Sequence, residues 1–141
     1  MTQITLDTSK GQLVPYVFGQ DAVAASQSNV QLPVVAGEAS QVNAGYTMPF
    51  AGEIVAVAAQ LSAAGSAGSL TIGATVGGTE DADTTLTVTT ATNPYQTVKR
   101  GAATFAAGAE LGCEITTDAS WNGTSADLVA VVYVLHYLKD I

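Results

Sequence analysis

Basic residues are scarce in this chain: four Lys plus Arg stand against twelve Asp plus Glu in 141 residues, a formal net charge of −8. A surface of that sign repels phosphate backbones and anionic lipid, so neither nucleic acid nor a membrane is an expected partner. Charge of either sign is thin, at 11% of residues against 48% hydrophobic. Cys113 is the only cysteine, which excludes an internal disulfide and a thiolate metal cage. The longest uninterrupted apolar run, residues 128–135, is eight residues long, where a membrane-spanning helix needs about 20. The opening Met1-Thr-Gln-Ile-Thr-Leu-Asp7 has neither the basic stretch nor the apolar segment of an export signal, so folding in a cytoplasm is expected.

Chemistry-bearing motifs are equally sparse. Neither a G-x-S-x-G elbow, a P-loop, an H-E-x-x-H helix nor a paired-cysteine motif occurs. His136, the only histidine, lies in the closing apolar run, and Cys113 points to the apolar side of an alternating segment. A reactive thiol needs an exposed, electropositive setting, so a Cys113–His136 pair is not expected. No catalytic residue, cofactor or resident metal is assigned, and the chain is not read as an enzyme. The one acidic cluster, Glu80-Asp81-Ala82-Asp83, offers hard oxygen ligands but lacks EF-hand spacing. A solvated turn guarding a sheet edge is the commoner use of such charges, with a calcium site as the alternative.

What the chain has in quantity is Ala, Thr, Val and Gly, a mix suited to pleated strands and tight turns. Residues 69–76 alternate cleanly, with Leu70, Ile72, Ala74 and Val76 on one side and Ser69, Thr71, Gly73 and Thr75 on the other. That pattern predicts a strand with one buried face. Leu86 and Val88 repeat it, as do Leu111, Cys113 and Ile115, and residues 52–61 follow it loosely. Gly77-Gly78, Asn93-Pro94, Ala107-Gly108 and Asn122-Gly123 punctuate these runs, the last read as a hairpin turn. Short strands at such intervals predict an all-β fold, a jelly-roll β-sandwich over residues 41–141.

Residues 1–40 read differently. Two apolar bursts, 13–18 and 30–35, contain Pro15 and Pro33, and proline is kept out of central strands. They form either an edge hairpin or an extended arm. Trp121 has two readings as well, a cap over one end of the domain or an exposed ligand platform. Lys99-Arg100, the only basic pair, is either a solvated loop or a dock for an acidic partner surface.

The closing run, Asp127-Leu-Val-Ala-Val-Val-Tyr-Val-Leu-His-Tyr-Leu138, is apolar on both alternating sides. Its β-branched residues favour a strand over a helix. One side fills the core, and the other lies under an arm or against further copies of the chain. The candidate interface is therefore Tyr133 and Tyr137, or else Val132 and His136.

At Tyr46-Thr-Met-Pro-Phe-Ala-Gly-Glu-Ile54, Leu61-Ser-Ala-Ala64, Gly68-Ser-Leu-Thr71, Phe105-x-x-Gly-x-x-Leu-Gly112 and Thr116-Thr-Asp-Ala-x-Trp121 the chain resembles small tailed-phage virion proteins with a tumour-necrosis-factor-like jelly roll. The resemblance covers roughly residues 45–138 and consists of strand and turn residues, with no catalytic position to carry over. It implies a homotrimeric capsid decoration (cement) protein on the virion surface, folded in the host cytoplasm and bridging capsomers of the major capsid protein. A receptor- or glycan-binding fibre tip is the alternative, favoured by an exposed Trp121 or Tyr95. Leu13, Tyr16 and Phe18 of the N-terminal stretch, with Lys99 and Arg100, are the expected capsid contacts.

Overall fold

The computed structural model describes residues 11–34 and 45–138, so the residue 1–7 start and the residue 37–43 tract lie outside the described residues. Eleven strands follow one another: β1 (Gln12–Gln20), β2 (Val30–Gln31), β3 (Tyr46–Thr47), β4 (Gly52–Leu61), β5 (Leu70–Val76), β6 (Thr79–Glu80), β7 (Leu86–Val88), β8 (Tyr95–Thr97), β9 (Thr104–Phe105), β10 (Glu110–Thr117) and β11 (Leu128–His136). A single 3-10 turn, Ala82–Thr84, separates β6 from β7.

All pairings are antiparallel and form two sheets. The first runs β1-β11-β4-β8, with β9 also on β4; the second runs β2-β10-β5-β6, with β3 on β10 and β7 on β5. Corresponding places in the two sheets are held by chain neighbours: β1 with β2, β11 with β10, β4 with β5, and β8 with β7. The chain thus passes from sheet to sheet as a wound ribbon, which is the jelly-roll sandwich that the spacing predicts.

The core lies between the sheets, and strand alternation fills it. Leu70, Ile72 and Ala74 of β5 and Leu111, Cys113 and Ile115 of β10 point inward from one sheet. Val57, Ala59 and Leu61 of β4 and Leu128, Ala130, Val132 and Val134 of β11 meet them from the other. A bulge opposite Tyr133/Val134 inserts Val55 into β4. It shifts the alternation, so Ile54 points inward while Glu53 turns to the outer side opposite Leu135.

The described part of the N-terminal stretch is built into both sheets. β1 pairs along its whole length with β11, from Gln12 opposite His136 to Gln20 opposite Leu128, and β2 pairs with β10. Phe18, Val23 and Leu32 are fully buried. Pro15 is tolerated because β1 is an outermost strand.

Two aromatic groups close the ends. Tyr16, Tyr46, Phe50, Phe105 and His136 gather where β11 finishes, their rings meeting edge to face or tilted at centroid distances of 5.0 to 6.1 Å. Before β11 begins, Trp121 is buried and its indole N–H donates to the Val23 carbonyl at 3.1 Å. Trp121 is thus a cap rather than an exposed platform. Asn122-Gly123 is not a hairpin turn, since β10 and β11 lie in different sheets. Asn122 instead ties down the β4–β5 loop, its Oδ1 accepting from Ser66 N and Ala67 N at 2.8 and 3.1 Å.

Candidate assembly surface

With even-numbered β11 residues in the core, its odd-numbered residues form the outer side of the first sheet. Val131, Tyr133 and Leu135 are half-buried, and Val129 is 48% exposed. Register extends the surface across the neighbouring strands. Leu13, Pro15 and Val17 of β1 stand opposite Leu135, Tyr133 and Val131. Ala58 and Ala56 of β4 stand opposite Val131 and Tyr133 on the other flank, and Tyr95 of β8 is opposite Ala58. Leu13 and Val17 are 57% and 46% exposed and Tyr95 75%. Scattered apolar residues are ordinary on a surface, but a contiguous apolar sheet face marks an interaction site.

This face is also nearly free of charge, in a chain of net charge −8. Its one carboxylate among the described residues, Glu53, is 1% exposed and accepts from Arg100 Nε and from the Gly101 amide. Burial pushes the Glu53 carboxyl up, but the Gly101 amide, the Arg100 guanidinium and the Tyr137 hydroxyl outweigh it and hold it below the ordinary carboxylate range. Arg100 itself stays open to solvent. The corner therefore presents a cation, with its carboxylate satisfied beneath.

The sequence-derived residues separate cleanly. Tyr133 and Tyr137 lie on or beside the outer face. Val132 and His136 do not: Val132 is sealed in the core, and His136 is enclosed by the aromatic end group, with Tyr16 Oη 2.7 Å from Nε2 and the Phe50 carbonyl 3.3 Å from Nδ1. Neither is free to meet another chain, and both leave the interface set. Phe18 leaves the capsid-contact set for the same reason, being buried on the inner side of β1. Tyr16 is half-buried with its hydroxyl on His136, while Leu13, Lys99 and Arg100 are exposed.

Cys113 lies in the core, where burial pushes its thiol far up, and neither it nor a carboxylate is among the hydrogen-bond partners of His136. The acidic turn is divided in its duties. Asp81 caps the 3-10 turn by accepting from the Asp83 amide at 3.0 Å, Asp83 is exposed, and Glu80 folds back over the second sheet. Among the described residues no three His, Cys, Asp or Glu side chains come together in a metal-binding arrangement.

No protein-family model matches the chain, and no curated protein matches it. Among solved structures it is similar to a chain of the acidic stable capsid structure of Helicobacter pylori bacteriophage KHP30, with 17% identity over 88% of this chain and 91% of that one, at a TM-score of 0.44. A likeness at that level assigns no function.

Proposed function

We propose that this chain is a structural virion protein of a tailed phage that assembles through the outer face of its first sheet. The observation that carries the reading is that face itself, apolar and almost uncharged on an otherwise acidic molecule. Copies of a chain with net charge −8 repel one another, and an uncharged side is where they meet at least electrostatic penalty. The occupant is a second and third copy, giving a homotrimer. Burial on the order of 1,000 Å² or more per protomer makes such an assembly stable. The motif resemblance supports the finer role, a decoration protein that bridges capsomers on the virion surface. Three modest contacts to the major capsid protein made by one trimer then gain avidity through effective concentration. Tyr16, Lys99 and Arg100 are the remaining capsid-contact residues, Leu13 lying on the face given to the copies.

Mass in solution tests the assembly. Light scattering on the full chain is expected to give a trimer, and Tyr133→Asp to give monomers with unchanged β-sheet circular dichroism. A wild-type monomer, or a trimer that survives Tyr133→Asp, overturns the reading. Adding purified protein to undecorated capsids of the same virus tests the role. Tyr95 supports a second reading, a glycan-binding fibre tip, because it places a largely exposed aromatic ring on the same face. Saturable glycan binding lost in Tyr95→Ala, without capsid binding, is the outcome that would select it.

A further inference from the structure

On the outer side of the second sheet two carboxyl groups approach one another across β5. Glu114 of β10 is buried, and its cross-strand neighbour on β5 is Gly73. The missing side chain at Gly73 leaves a slot that Glu80 of β6 fills: a Cβ there would overlap the Glu80 carboxylate. The Glu80 carboxylate thereby lies over the position directly across the sheet from Glu114.

The surrounding donors all approach from outside the pair. Gln31 of β2 donates through Nε2 to Glu114 Oε2 at 2.8 Å, and its own Oε1 accepts from Thr75 Oγ1 of β5 at 3.3 Å. Thr85 Oγ1, just after the 3-10 turn, donates to Glu80 Oε1. Asp81 of that turn is occupied with the Asp83 amide, and Asp83 is exposed. On β10 itself Cys113 points to the opposite side, and Glu110 lies by Gly45. The described basic residues, Lys99 and Arg100, follow β8 in the other sheet. No cation therefore neutralises the pair among the described residues.

We propose that Glu80 and Glu114 form a proton-held clasp that tightens the residue 79–85 segment, already tied to β5 through the β6 pairing and Thr84, onto the second sheet when Glu114 is protonated and loosens it when Glu114 is ionised. Two carboxylates this close and partly desolvated resist simultaneous ionisation. A proton on Glu114 supplies a donor that the Glu80 carboxylate can accept. Burial, then the charge and hydrogen bond of Glu80, hold Glu114 above the ordinary carboxylate range. A carboxyl raised in the folded state stabilises fully below its unfolded value near 4.3, and that contribution is lost as pH rises through the folded value. The clasp is thus an acid-closed device, independent of the assembly face.

Hydrogen exchange on the full chain with and without chelator, corrected for intrinsic rates between pH 4 and 8, tests it. Amides of residues 79–85 are expected to lose protection by up to about tenfold per pH unit as pH rises from the unfolded value near 4.3 to the folded value, and to level off above it, while β11 stays constant. Glu114→Gln carries a permanent donor and is expected to keep that protection across the range. Gly73→Ala displaces the Glu80 side chain and is expected to leave the segment less protected at every pH; Glu80→Gln replaces Glu114→Gln if the latter fails to fold. Flat protection in the wild type, or wild-type pH dependence retained in Glu114→Gln, overturns the proposal. So does protection at pH 8 that chelator abolishes, which would assign the closure to a cation.

Discussion

Tyr16 and His136, 120 residues apart in sequence, meet through a 2.7 Å contact between the phenol oxygen and Nε2. The contact joins the inner side of the outermost strand β1 to the last residue of β11, inside a ring of Phe50, Phe105 and Tyr46. Tyr16→Phe keeps the ring packing and removes only that hydrogen bond. Loss of about 1 kcal/mol is expected, read as a lower urea midpoint at unchanged slope.

Glu53 gives the opposite pH response to the clasp. Its carboxyl is held below its unfolded value, so its contribution is present above about pH 4.3 and is lost as pH falls through the folded value. Glu53→Gln is expected to lower stability at pH 7 by about 1 kcal/mol, a modest figure because Arg100 is solvent-screened. It is also expected to flatten the fall in stability as pH drops below about 4.3. Urea midpoints across that range check both.

Gly123 packs against a ring that has nowhere to go. A Cβ at this position would overlap the Trp121 ring, which is buried and held through its N–H by Val23. Gly123→Ala is expected to destabilise by about 1–3 kcal/mol, with a shifted near-ultraviolet tryptophan signal in circular dichroism.

Val131 and Val132 are adjacent residues with opposite surroundings, one half-buried on the outer face and one sealed in the core. Val132→Asp is expected to prevent folding by burying an unpaired charge. Val131→Asp is expected to leave the thermal transition of the monomer within about 1 kcal/mol of wild type and to change only the mass in solution. Equal effects of the two substitutions would contradict the inward and outward assignment.

Local alternation carried much of this fold in plain view. Leu70, Ile72 and Ala74 point inward as their period requires, and the paired apolar sides of residues 128–136 mark β11 as a strand wanted on both faces. Which side faces the core was not legible, because both are apolar and the choice follows from β4 and β1 pairing. Glu53 escaped notice for another reason: its burial depends on a bulge at Val55 and on Arg100, 47 residues away. The Glu80–Glu114 contact likewise depends on Gly73 being empty across the sheet, which no spacing rule encodes. Asn122-Gly123 misled because an Asn-Gly pair signals a hairpin only when the flanking strands share a sheet.

The sheet margins set the form that association takes. Three of the four edges are patched from short strands, β2 with β3, β6 with β7, and β8 with β9, and the one long edge, β1, has Pro15 at its middle where an amide donor would stand. None offers the unbroken ladder of backbone groups on which a further strand could be laid. Growth into open-ended fibrils by strand addition at the described edges is thereby discouraged.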